Sequence, residues 1–140
     1  MVATPCQAPQ LAATAYLQGA TGALLGGIVF SNRGALPCSL SGRPRVRLVD
    51  GRGRDLGVHL VSLRSPVRTV TLPRRGRAGG AYLRLAWRNF CGRPAAVLAR
   101  VLLPGGGGVV RVRLRDRPRC DAKSTRSTLG VAPFVRWFRA

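Results

Sequence analysis

The four cysteines are the residues of this sequence whose spacing most limits their chemistry. They are Cys6, Cys38, Cys91 and Cys120. No two of them form a Cys-x-x-Cys pair, which argues against a zinc knuckle and against a thioredoxin-like redox site. An even count without metal spacing favours two disulfides and an oxidising compartment, with three pairings open. The alternative is four buried thiols in a cytosolic protein.

Candidate catalytic residues are few. His59 is the only histidine, and a catalytic triad would need a nucleophile and an orienting acid around it, but the sequence has no Gly-x-Ser-x-Gly motif. Asp50, Asp55, Asp116 and Asp121 are the only acids, and each lies in or beside a predicted turn. Acids this sparse do not favour paired-carboxylate catalysis or a calcium site. We predict a protein that is not an enzyme, with no catalytic residue, cofactor or metal.

Two glycine-rich segments carry weak signals of phosphate or RNA binding. LPGGGGVV (103–110) lacks the Gly-Lys-Ser/Thr ending of a phosphate-binding loop, and no helical pattern follows it. RRGRAGG (74–80) is a single copy of an arginine-glycine pattern. Both segments are better explained as connections between strands.

The charge of the chain is strongly positive. Lys and Arg number 24 against 4 acids, for a net charge of +20, and Lys123 is the only lysine. A chain this basic should adhere to nucleic acid, anionic lipid or acidic cell-wall polymer. Arginine in excess of lysine, with abundant Ala, Gly, Val and Leu, is also typical of proteins from GC-rich genomes, so the charge alone does not assign a function.

Alternation of apolar and polar residues with a period of two recurs along the chain. In AYLRLAWRN (81–89), Leu83, Leu85 and Trp87 fall on one face, and VVRVRLR (109–115) alternates in the same way. This pattern predicts half-buried strands whose arginines meet water. Further strands are predicted within RPRVRLVDG (43–51) and at residues 14–18, 24–31, 55–63, 67–72, 96–103 and 127–132.

Seven to nine short strands without a helical pattern between them predict an all-β fold, an antiparallel β-sandwich. The length of 140 residues fits a single domain, 1–140, that can bury a core. The tail APFVRWFRA (132–140) is interpreted as a last strand that packs its aromatic residues on the sandwich. A stacking or membrane-surface patch is the alternative for this tail.

The uncharged stretch at residues 11–30 raises the question of an export signal or a membrane span. No basic residue precedes it, and glycines, threonines and Gln18 interrupt it. Neither pattern is met, so we expect no transmembrane segment and no export signal within the given sequence.

Taken in order, these residues resemble a known family, the actinobacterial domain of unknown function 4232 (DUF4232). The resemblance covers about residues 6–134 and is most specific in an Asn-x-Gly…Pro-Cys-x-Leu-x-Gly-x-Pro pattern and the following Asp-Gly-x-Gly turn. The pattern residues are Asn32, Gly34, Pro37, Cys38, Leu40, Gly42 and Pro44. The stretches that carry the resemblance are Cys6 with LAATAYLQGATGALLGGIVFSNRGALPCSLSGRPRVRLVDGRGRDLG (11–57), AYLRLAWRNFCG (81–92), LARVLLPGGGGVVRVRL (98–114), RCD (119–121) and TLGVAPF (128–134).

The resemblance implies an immunoglobulin-like sandwich, a cell-envelope or secreted location, and disulfides assigned as Cys6–Cys38 and Cys91–Cys120. It implies no catalytic residue. The predicted function is therefore a non-enzymatic, extracytoplasmic module of a bacterial envelope that binds an unknown ligand or has a structural role. A basic nucleic-acid-binding protein in the cytoplasm is the alternative. In both cases, non-specific binding to polyanions at low salt is expected.

Overall fold

The computed structural model describes residues 3–20, 23–88, 98–114 and 128–137. In these ranges the chain forms eleven strands and two single-turn 3-10 helices. The helices are Ala8–Gln10, before the first strand, and Pro104–Gly106, between the eighth and ninth. The strands are β1 (Leu11–Ala20), β2 (Ala23–Asn32), β3 (Cys38–Ser41), β4 (Arg45–Val49), β5 (His59–Ser62), β6 (Thr69–Leu72), β7 (Gly80–Arg88), β8 (Leu98–Leu102), β9 (Val109–Arg113), β10 (Thr128–Val131) and β11 (Val135–Trp137).

The strands are arranged in three sheets. The largest sheet has the order β1-β2-β7-β10-β5, with β11 also paired to β7. A second sheet has the order β4-β8-β9, and a third consists of β3 and β6. All pairs are antiparallel except β5 with β10, which is parallel. The predicted all-β, antiparallel sandwich is therefore confirmed, with more strands than the seven to nine expected.

The inner faces of all three sheets contribute to one hydrophobic core. On β7, Leu83, Leu85 and Trp87 are buried, as the alternation in the sequence predicts. Phe30 on β2 and Phe134 before β11 are fully buried and meet edge to face, with ring centroids 5.6 Å apart. The aromatic residue Phe134 thus anchors the C-terminal segment to the centre of the sandwich. This contact supports the interpretation of the tail as a last strand.

A disulfide joins Cys6 to Cys38 across 32 residues of sequence. Both cysteines are buried, and the backbone pairs beside them: Cys6 N donates to Ser39 O, and Ser39 N donates to Thr4 O, each at 2.8 Å. The bond therefore attaches the N-terminal segment to β3. The Cys6–Cys38 pairing is confirmed. Cys91 and Cys120 lie outside the described residues, so their pairing stays a prediction.

Strand β3 was not expected from the sequence, because CSLS has no long alternating pattern around it. It is held by β6 on one side and by the disulfide segment on the other, through the Pro5–Ser39 bridge. Strand β5 is shorter than the predicted 55–63, since Asp55 pairs with Val49 and its carboxylate accepts a hydrogen bond from Gly57 N at 2.7 Å. Tertiary pairing, and not local propensity, decides both differences.

The segment LPGGGGVV is a hairpin connection, as expected. Leu103 N donates to Gly108 O at 2.9 Å and closes the loop between β8 and β9. Gly105, Gly106 and Gly108 have positive φ angles of 71°, 76° and 94°. Such angles are strained for any residue with a Cβ, so the backbone conformation of this turn requires glycine at these positions.

Candidate polyanion-binding face

Five arginines lie on the solvent side of the β4-β8-β9 sheet, and we call this surface the arginine face. Their positions follow from the alternation of the three strands. Val46, Val101 and Val112 point into the core and are essentially fully buried, so their neighbours in the sequence point outward. The arginine face consists of Arg45 and Arg47 on β4, Arg100 on β8, and Arg111 and Arg113 on β9, all exposed.

The register of the sheet places three of these arginines side by side. Arg47 is directly opposite Arg100, and Arg100 is directly opposite Arg111. Adjacent strands are about 4.8 Å apart, so the row crosses the sheet over about 10 Å. Like charges directly opposite each other destabilise a sheet. An anion bound along the row would relieve this repulsion.

Little acidic charge offsets the arginine face within the described part of the chain. Arg47 Nη1 contacts Asp55 Oδ2 at 3.2 Å, and both side chains are about half exposed (53% and 42%). An exposed pair of this kind contributes little to stability. Within the described ranges, no other arginine of this face forms an ion pair. Arg45, Arg100, Arg111 and Arg113 therefore present their charge to solvent.

The carboxylate of Asp50 accepts hydrogen bonds within the loop that follows β4 and does not pair with the arginine face. Its Oδ1 accepts hydrogen bonds from Arg52 N and Arg54 N, both at 2.9 Å. The bond from Arg54 N has the largest effect and lowers the pKa of this carboxyl. Desolvation opposes it, but the bond from Arg52 N and the two nearby guanidinium charges also lower the pKa, so the net shift is downward. Asp50 therefore stays ionised at neutral pH and holds the turn.

Arginine is not always a surface residue in this fold. Arg43 is partly buried, and its Nε donates to Val131 O at 3.0 Å while its Nη2 donates to Leu63 O at 2.9 Å. The side chain thus ties the segment before β4 to the ends of β5 and β10. Part of the arginine content has this structural role.

The other residues considered for chemistry lie apart from one another. His59 is exposed at the start of β5, opposite Thr128, whereas Asp50 and Asp55 lie in the loop after β4. Asp116 and Asp121 lie outside the described residues. In the residues that the structure describes, no three His, Cys, Asp or Glu side chains come together as metal ligands would. In the same residues, no helix has the length and apolar character needed to cross a bilayer.

Alternation in the sequence predicts that these arginines face water, but it does not predict that they share one surface. The row Arg47, Arg100 and Arg111 depends on the pairing of strands that are more than fifty residues apart in the sequence. The nearest sequence signal is the repeated Arg-Val-Arg pattern of β4 (45–47) and β9 (111–113).

Comparison with known protein families gives one match. The model of a domain of unknown function, DUF4232, matches residues 6–135. No curated protein and no solved structure matches the chain. The match extends from the first disulfide cysteine to the first residue of β11, so it covers β1 to β10 in full. The chain belongs to the DUF4232 family.

Proposed function

We propose that this protein is a non-catalytic binding module of a bacterial cell envelope, acting outside the cytoplasm, and that its arginine face binds an acidic polymer. The observation that carries the proposal is the row of Arg47, Arg100 and Arg111, flanked by Arg45 and Arg113, on one solvent-facing sheet surface. Polymers with a charge on each repeat unit can contact several of these guanidinium groups at once.

The disulfide supports a location outside the cytoplasm. Disulfides persist in oxidising compartments and are rare in the cytosol, where thiol reductants keep cysteines reduced. The Cys6–Cys38 bond is buried in the core and joins the segment before β1 to β3. The bond therefore favours the envelope over the cytoplasm.

A flat row of cations recognises charge density and not base sequence. Sequence-specific DNA binding needs side chains that reach base edges, commonly from a helix or a two-stranded ribbon in the major groove. The helices of the described residues are only three residues long. The arginines of this face are suited to phosphate, sulfate or carboxylate groups of a polymer backbone.

A triple variant tests the arginine face. We expect Arg100→Gln/Arg111→Gln/Arg113→Gln to weaken binding to an acidic polysaccharide by at least about tenfold at low salt, because three of the five contacts are lost. These three arginines leave the Arg47–Asp55 pair intact, so the fold should be retained. Fluorescence anisotropy with a labelled polygalacturonate provides the affinity.

The matched control is Arg64→Gln/Arg68→Gln/Arg74→Gln. These exposed arginines lie in the loops after β5 and after β6, and the variant loses the same net charge. If both triple variants lose affinity equally, the binding follows net charge alone and the arginine face is not the site.

A further inference from the structure

A second surface, on the outer side of the large sheet, carries three aromatic residues: Tyr16 on β1, Tyr82 on β7 and Trp137 on β11. We call it the aromatic groove. Tyr16 is 60% exposed and lies directly opposite Gly27 of β2. Tyr82 stacks on Trp137, with ring centroids 5.2 Å apart and planes inclined by 24°.

Gly27 lies opposite Tyr16 on β1 and the exposed Arg84 on β7, under the end of the Tyr82 ring. A Cβ at this position would lie 2.6 Å from Tyr82 Cζ and 2.7 Å from the Tyr82 hydroxyl oxygen. The end of the Tyr82 ring therefore rests directly on the backbone of β2. A side chain at Gly27 would collide with the Leu83 carbonyl oxygen as well as with the Tyr82 ring, so glycine allows this placement.

The aromatic residues separate a line of three depressions on this surface. The first, about 810 Å³, lies between Tyr16 and Tyr82. The second, about 420 Å³, lies between Tyr16 and Trp137, and the third, about 460 Å³, lies on the other side of Trp137 next to Pro73. An extended groove interrupted by aromatic rings fits a chain of repeating units better than a single small molecule.

The first depression is polar but uncharged. Thr14, Tyr16, Gln18 and Tyr82 line it, together with Leu25 and backbone groups. Within the described residues, none of these four side chains makes a hydrogen bond to the protein. Burial raises the pKa of Tyr82 against the opposing effect of the Arg84 guanidinium, so its hydroxyl stays protonated and can donate. The lining thus offers neutral donors and acceptors around the exposed ring of Tyr16 and the half-buried ring of Tyr82.

We propose that the aromatic groove binds a linear β-linked saccharide chain. Pyranose rings with equatorial substituents present flat C–H faces that pack on aromatic rings, and their hydroxyls at the rim match neutral side-chain partners. A single-stranded nucleic acid fits less well, because its phosphates require a cation at each step, whereas the first depression has no charged lining residue and the second and third have one arginine each, Arg77 and Arg136. This site lies on a different sheet from the arginine face and is independent of it.

The test measures binding of chitohexaose and cellohexaose to the intact protein in about 0.5 M salt, which screens the arginine face. The readout is tryptophan fluorescence. Trp87 is buried at 4% exposure, so the response is expected to come from Trp137. We expect one or both hexasaccharides to change the emission, and Tyr16→Ala to weaken that binding by about tenfold, since exposed aromatic anchors dominate such interfaces.

Two variants serve as controls. Val67→Ala removes an equally exposed apolar side chain that does not line the groove, and Arg100→Gln/Arg111→Gln/Arg113→Gln removes the arginine face; both should bind the hexasaccharides as the native protein does. The proposal is overturned if neither sugar binds, if Tyr16→Ala binds as well as the native protein, or if an oligodeoxynucleotide binds more tightly than both sugars at this salt concentration.

Discussion

Raising the salt concentration from about 50 to about 200 mM is expected to weaken the binding of a DNA duplex, used as the polyanion, by roughly 500-fold, if five arginines each displace one counterion. The contacts are those of Arg45, Arg47, Arg100, Arg111 and Arg113. A slope of about −0.9 per contact gives about −4.5 on a plot of log affinity against log salt. The Arg47–Asp55 pair lowers the effective number slightly.

A salt titration of the native protein and of Arg100→Gln/Arg111→Gln/Arg113→Gln checks this expectation. With two contacts remaining, the slope of the variant should fall to roughly −1.8. A slope near zero for the native protein would show that the attraction is not carried by released counterions. Equal slopes for both proteins would place the contacts outside the arginine face.

Removal of the Cys6–Cys38 disulfide is expected to lower the free energy of unfolding by about 3 to 4 kcal/mol, the loop-closure value for a bond that spans some thirty residues. Cys6→Ala/Cys38→Ala is the suitable variant, because both side chains are buried and alanine leaves no unpaired polar group. Urea unfolding monitored by fluorescence gives the difference.

The control repeats the unfolding of both proteins in the presence of a reductant. The stabilities should then converge to within about 1 kcal/mol, apart from the volume lost in the variant. A difference under 1 kcal/mol between the oxidised proteins would contradict the role assigned to the bond. Since the variant keeps Cys91 and Cys120, the experiment separates this bond from any contribution of theirs.

The strands of the fold are largely predictable from the sequence, because antiparallel strands with one solvent-exposed face alternate apolar and polar residues. The alternation of Leu83, Leu85 and Trp87 against Arg84 and its neighbours predicts both β7 and its buried face. The same pattern predicts β4 and β9. The DUF4232 resemblance, confirmed by the family match, adds the Cys6–Cys38 pairing, which four cysteines alone leave open.

The two candidate surfaces are not predictable in this way, because both depend on register. Arg100 and Arg111 are close in the sequence, but Arg47 joins them only through the pairing of β4 with β8. Tyr16 is opposite Gly27 of β2 and Tyr82 is opposite Val29, so the two tyrosines share a surface only because β2 lies between their strands. Single-sequence patterns indicate which way a side chain points, but not which strand is beside it.

The most direct test of the proposed function compares the affinities of the protein for two unrelated DNA duplexes and one acidic polysaccharide, all at physiological salt. We predict that the three affinities agree within about tenfold and that Arg100→Gln/Arg111→Gln/Arg113→Gln weakens all three alike, since a flat row of guanidinium groups detects charge density alone. A preference of about 1,000-fold or more for one duplex, the margin of specific recognition, would contradict the account and favour a sequence-reading nucleic-acid-binding protein.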